Sequence, residues 1–316
     1  MTITPNDFQG SDSERIAQAL TAIKARQGSG ILRIPRREDA DGRQHWLLDE
    51  AILLDADTTL ILENCTLKLS DRCRDNFIRS ANCGTGIASP RPIANIHIIG
   101  IGDVVLEGAD HPRATGDSTK VLACPCPKNF TGAENPDFWS CHQHSYGTDA
   151  GKTAESQTGD WRNIGILMAN VHHLSIENLR IVEPHAWAIS LEQCSFASIN
   201  RIGFSARMSR VIDGTEHNVE NQDGIDLRMD CHDIIISDIT GWTGDDVVAL
   251  TAIPHDHPGG ALNSTEVMPG YKDAAGPKGI WNVTLRDIQA HSAGGTKTSP
   301  TRSVPSWSRC CSVSRP

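Results

Sequence analysis

Four eight-residue segments of this chain follow one pattern: apolar, any, apolar, any, any, apolar, any, then apolar or small. They are Leu174–Ile181, Ala197–Phe204, Ile234–Gly241 and Val283–Ala290, and the intervals between their starts widen along the chain. Two steps of two separated by a step of three do not fit the helical period; they suit two short strands meeting at a corner. A unit as short as the interval from Leu174 to Ala197 cannot bury an apolar face alone, so its copies must stack, and insertions must project as loops. The wider intervals then hold insertions or an additional coil. A leucine-rich repeat has a similar period, but its Leu-x-x-Leu-x-Leu with an Asn ladder is absent.

The N-terminal segment has a different character. Ser11-Asp12-Ser13-Glu14 fits a capping box, Ile16, Leu20 and Ile23 share one helical face, and Gln27-Gly28 is a stop signal. A helix near residues 12–26 is expected to plug the end of a stacked core. Beyond Gly30 the chain turns to short β-rich runs: Ile31–Ile34, Trp46–Leu48, Ala51–Leu54, Leu60–Leu62 and Thr66–Leu69.

A net charge of −10 gives no basic face for nucleic acid or an anionic membrane, so neither is an expected partner. No apolar run approaches the roughly 18 residues of a membrane span. Met1-Thr2-Ile3-Thr4-Pro5 passes directly into folded-looking sequence, which predicts a cytoplasmic protein, or a secreted one if the N-terminus is incomplete. In such a chain the 10 scattered cysteines read as reduced thiols rather than a disulfide framework. Residues 107–162 are crowded with Gly, Pro, Asp, Thr and Ser and are too long for an ordinary connection, so a loop insertion is expected there. Its Cys124, Cys126, Cys141, His142 and His144 match no standard zinc spacing, and loop thiols and surface histidines are the preferred reading over a metal site.

Two carboxylate motifs recur at nearly the repeat period. Asn221-Gln222-Asp223-Gly224-Ile225-Asp226-Leu227 precedes Thr243-Gly244-Asp245-Asp246-Val247-Val248-Ala249-Leu250, and the interval from Asp223 to Asp245 is close to one repeat. Each motif ends in an alternating apolar run, Ile225/Leu227 and Val247/Ala249, and so reads as the start of a strand, the two lying roughly 4.8 Å apart on successive coils. Asp223, Asp245 and Asp246 are then expected in one surface patch, the arrangement that acid/base hydrolysis of a glycosidic bond needs. Three neighbouring carboxylates cannot all stay ionised at low cost, so one is expected to hold its proton while the others act as bases. Asp-Gly and Gly-Asp-Asp are also common turn chemistry; the coil spacing is what favours catalysis.

These motifs resemble those of the polygalacturonase family of glycoside hydrolases, marked by Asn-Thr-Asp-Gly and, one coil later, an Asp-Asp pair. Upstream, Glu183-Pro184-His185-Ala186-Trp187-Ala188-Ile189-Ser190 resembles the family's Ser-Pro-x-x-His/Trp strand, and Pro5-Asn6-Asp7-Phe8 with the following helix resembles the entry of pectin-acting β-helices. The resemblance covers most of residues 1–295. It implies an all-β fold, a single-stranded right-handed parallel β-helix with an N-terminal capping helix. It implies an inverting hydrolase of a pectin-like polysaccharide or oligosaccharide, without a cofactor. Asp245 would be the general acid, and Asp223 and Asp246 would together activate water. Asn221, Asp226, His185, Trp187 and Arg228 are the expected substrate contacts, with core packing the alternative for His185 and Trp187 and a structural role the alternative for Asp226.

The chain departs from the family at its C-terminus. His291-Ser292-Ala293-Gly294-Gly295 stands about where the family has Gly-His-Gly, but no Arg-x-Lys follows. Residues 296–316 lack a β pattern and read as a truncated or out-of-frame tail. Two other activities fit the same scaffold: a polysaccharide lyase, which would need calcium and a base such as Arg210 or Arg228, and a non-enzymatic carbohydrate-binding solenoid.

Overall fold

A computed structural model describes residues 2–26, 29–38, 41–87, 89–116, 160–207, 209–219, 221–252, 267–268, 279–292 and the backbone of 311–313. Its strands are shared between two parallel sheets, and from Ile166 onward, one small hairpin aside, they alternate between the two in sequence. One sheet runs Ile52–Leu54, Ile78–Ser80, Ile166–Ala169, Ile189–Glu192, Ile225–Arg228, Val248–Thr251, Cys311–Val313. The other carries, among its strands, Gly30–Ile34, Thr58–Glu63, Ile93–Ile101, Val171–Val182, Ser195–Ser205, His232–Thr243 and Trp281–Ser292 in spatial order. Every pairing in both sheets is parallel, and among the described residues only the small hairpin Ser209–Ile212/Thr215–Asn218 is antiparallel.

The register reproduces the sequence repeat. Leu174 pairs with Ala197, Ala197 with Ile234 and Ile234 with Val283. The fifth residue of each unit, Asn178, Arg201, Asp238 or Asp287, is left-handed, with φ of 56°, 53°, 60° and 53°. That single residue makes the corner and shifts the alternation by one, which is why the apolar positions step by three there. Three of the four are Asn or Asp, the side chains that tolerate this region best. Inside the corner, Ile98, Ile176, Ile199 and Ile236 stack in register, each 0% exposed. Burial of each such side chain contributes about 1.5–3 kcal/mol.

The helix Asp12–Lys24 begins as expected. Ser11 Oγ accepts the Glu14 amide at 3.3 Å, and the Glu14 carboxylate accepts the Ser11 amide at 2.7 Å. Ile16, Ala19 and Ile23 enter the main core, so the helix closes the stack where the first strands would otherwise expose it. At the opposite end Val283, Leu285 and Ile288 are only partly buried against that core. The expectation of a tail without β structure is corrected at Cys311–Val313, whose backbone pairs in parallel with Val248–Leu250. The rest of 296–316 lies outside the described residues, as do Cys124, Cys126, Cys141, His142 and His144.

Cys65, Cys73, Cys83, Cys194 and Cys231 are buried free thiols. Burial pushes Cys65, Cys73, Cys83 and Cys231 up to about 12, which keeps them protonated and unreactive. No helix among the described residues is long and apolar enough to cross a membrane.

Candidate active site

Both carboxylate motifs lie in the turn that carries the chain from one sheet to the other, directly before a strand. Ile225–Arg228 and Val248–Thr251 are adjacent and parallel, with Ile225 opposite Val248. That offset carries Asp223 onto Asp246, each standing two positions before its strand. The alignment of Asp223 with Asp245 is thus one position out of phase. A one-residue slip reverses every side chain: Val248 and Leu250, rather than Val247 and Ala249, match Ile225 and Leu227, and Ala249 lies beside Asp226.

Backbone bonds fix the turns against each other. The Gly224 amide donates to the Asp246 carbonyl at 2.8 Å, and the Gly244 and Asp245 amides converge on the Gln222 carbonyl at 2.9 and 3.4 Å. Thr243 Oγ1 donates to the Asp245 carbonyl at 2.6 Å. A Cβ on Gly224 would lie 2.5 Å from the Val247 carbonyl oxygen, so glycine is required for this approach. Asp223 is 8% exposed, while Asp245 and Asp246 are half-buried. Asn221, at φ 55°, makes the turn into this segment and is half-buried as well.

The remaining predicted contacts are more enclosed. Asp226 and Arg228 alternate with the core-facing Ile225 and Leu227 and yet are buried. Asp226 is in register with Ser190, and the Arg228 guanidinium lies 4.8 Å over the Trp187 ring. Trp187 is 7% exposed and packs with Ile164, Leu167, Trp161 and Val267. An open sugar platform at Trp187 is therefore corrected: its ring is already covered. His185 is corrected likewise. It is 3% exposed, its Nε2 accepts the Ala109 amide at 2.9 Å, and burial pushes its pKa down to about 3. It is a neutral packing residue.

Three further groups border the site. Gln222 donates to the Pro184 carbonyl at 2.7 Å and so ties the preceding coil to the carboxylate turns. Glu183 is half-buried, and its desolvation raises its pKa against the opposing effects of Arg210 and a Gln222 hydrogen bond. Glu192, 1% exposed, accepts the Val267 and Met268 amides at 3.1 and 2.9 Å. Gln222 adjoins Asp223 in sequence, which was the available signal for it; nothing local marks Glu192, whose partners are distant in sequence. Among the described residues no group of three or more His, Cys, Asp or Glu is arranged to hold a metal ion.

The fold has relatives among solved structures. A family 28 exopolygalacturonase from Yersinia enterocolitica matches with a TM-score of 0.52 at 14% identity, over 92% of this chain and 49% of that one. A candidate glycosyl hydrolase from Parabacteroides merdae matches with a TM-score of 0.49 at 12% identity, over 92% and 96%. A surface adhesin of Streptococcus pneumoniae matches with a TM-score of 0.41 at 10% identity, over 79% and 59%. The chain matches no protein-family profile and no curated protein sequence. At 14% identity the likeness to the exopolygalacturonase is one of fold alone. The chain spans about half the length of that enzyme, 49%.

Proposed function

We propose that this chain is an inverting glycoside hydrolase of polygalacturonase type, built on a right-handed parallel β-helix and acting on a pectin-like polysaccharide or its oligosaccharides. The observation that carries the reading is the register of the two carboxylate turns. Asp223 and Asp246 stand at the same position of adjacent coils, with Asp245 beside them on a backbone held by Gln222. Parallel strands are roughly 4.8 Å apart, so the three carboxylates serve one glycosidic linkage.

In this reading Asp245 donates its proton to the glycosidic oxygen as the bond to the anomeric carbon breaks. Asp223 and Asp246 take the proton from a water that attacks that carbon from the opposite face, which inverts its configuration. Asn221, half-buried at the turn, is assigned to a sugar hydroxyl, whereas the enclosed Asp226 is given a structural role. The lyase alternative receives less support: Arg210 Nε lies 3.6 Å from the Glu183 carboxylate, and Arg228 is buried over Trp187. Neither is an available base.

The test is Asp245→Asn on the full chain. Turnover of a pectic oligosaccharide is expected to fall by at least about a hundredfold with little change in binding, since general acid catalysis contributes about 10²–10⁴. Near-normal turnover in the variant would refute the assignment.

A further inference from the structure

Thr243 closes the strand His232–Thr243 and directly precedes Gly244-Asp245-Asp246. It is 0% exposed, which shuts solvent out as a partner for its hydroxyl. Two carbonyls lie near that hydroxyl, Asp245 at 2.6 Å and His291 at 3.5 Å. A hydroxyl has one proton to give, and the shorter distance assigns it to Asp245. On the side of the next coil, Thr243 is in register with Ser292, and the Trp242 ring lies 4.8 Å from that of His291. The methyl group meets the preceding coil: a Cβ on Gly224 would come within 3.1 Å of Thr243 Cγ2. A β-branched side chain is stiff at χ1, so the methyl packed against Gly224 leaves the hydroxyl directed at Asp245.

Three consecutive peptides make the turn, and the partners that hold them differ in kind. The peptide before Asp245 gives its N–H to the Gln222 carbonyl at 3.4 Å, and the peptide after Asp246 takes the Gly224 amide on its carbonyl at 2.8 Å. Both partners are backbone on the preceding coil. The middle peptide, which joins Asp245 to Asp246, has its carbonyl held by the Thr243 side chain. That peptide is trans, so its N–H points opposite to its carbonyl, away from Thr243. One buried hydroxyl therefore sets the plane of the peptide that carries both carboxylate residues.

We propose that Thr243 is a positioning residue, whose hydroxyl fixes the Asp245–Asp246 peptide and through it the directions of the two carboxylates. What those carboxylates do rests on the proposed glycosidase reading; the restraint on them rests on the geometry alone. Without the hydroxyl the Asp245 carbonyl loses its donor in a buried place, and the peptide rotates to find another. Rotation brings the negative end of the peptide toward the carboxylates, which disfavours their ionised form. It also spoils their alignment for proton transfer while leaving the other contacts to the glycan in place.

The test compares the full parent chain with Thr243→Val, which keeps the shape without the donor, and Thr243→Ser, which keeps the donor without the methyl. On a pectic oligosaccharide, Thr243→Val is expected to lower kcat about tenfold or more and to change KM by less than about twofold. Thr243→Ser is expected to hold kcat within about threefold of the parent. The acid limb of the kcat profile should move up by about half a pH unit or more in Thr243→Val alone. Parental kcat in Thr243→Val, or equal losses in both variants with no shift of the limb, would overturn the proposal. Carboxyl carbon-13 NMR of the same three chains reads the titration of Asp245 and Asp246 without any turnover. A shift in Thr243→Val that Thr243→Ser lacks supports the restraint even where the parent cleaves nothing, and in that event the hydrolase reading alone falls. Superimposable titrations in all three chains sink the proposal whatever the turnover. Should Thr243→Val fail to fold, Thr243→Ser and Thr243→Ala, which differ by the hydroxyl alone, are compared by the same measurements.

Discussion

Three successive coils turn the same corner and do so with different consequences. In the first, residues 183–188, the turn is sealed: His185 takes the Ala109 amide through Nε2 and the Gly116 amide through its carbonyl, and Trp187 is covered by Val267 and Arg228. In the next two, residues 221–224 and 243–247, equivalent positions hold Asp223 and Asp246, with Asp245 alongside. Trp187, Asp223 and Asp246 each stand two positions before a paired strand. The backbone path repeats, and the side chain at one row decides whether the corner is core or, in the proposed reading, chemistry. Stacking supplies equivalent positions; what each coil does with them depends on whether it carries a carboxylate there.

If the carboxylate turns depend on close backbone approach, Gly224→Ala should give the largest change. The new Cβ meets the Val247 carbonyl at 2.5 Å and the Phe204 ring at 2.9 Å, which should cost up to about 3 kcal/mol and displace Asp223 from Asp246. Urea denaturation together with turnover checks this, and Gly→Ala at the exposed Gly214, on the hairpin, gives a control free of clashes although its φ is positive.

The sealed turn should reveal itself through pH. The pKa of His185 is about 3 in the fold against an ordinary 6.5, so between those values the unfolded chain binds a proton that the folded chain refuses. Its contribution is complete above pH 6.5 and declines as pH falls, by up to about 1.4 kcal/mol per pH unit. His185→Gln keeps an acceptor for Ala109 but cannot titrate. Its stability should therefore fall less steeply than the parent's between pH 6.5 and pH 4.5, as read from denaturation midpoints. Identical slopes would show that the corner is not sealed.

The smallest effect concerns the tie between the two kinds of turn. Gln222→Leu removes the donor to the Pro184 carbonyl and should cost about 1 kcal/mol, a fall of a few degrees in Tm with the fold intact.

Much of this was legible in the sequence. The repeat, the corner and the capping helix could be read because each rests on local pattern: apolar alternation, the step of three that interrupts it, and a Ser/Glu box. The phase between the carboxylate motifs was not, since Val247 and Val248 are both apolar and the register is set by backbone bonds, among them those from Gly224 to Asp246 and from Ile225 to Val247. The sealing of His185 and Trp187 was also hidden. It depends on Ala109, Gly116 and Val267, all of them far from the sealed turn in sequence. Cys311–Val313 pairs through its backbone, a choice that side-chain pattern does not announce.

The central claim is that the carboxylate turns cleave a glycosidic bond by single displacement, and the anomeric configuration of the first product tests it most directly. Proton NMR of a pectic oligosaccharide during its first turnovers should show the newly formed reducing end with its configuration inverted. A retained anomer, or an unsaturated product from elimination, would contradict the account.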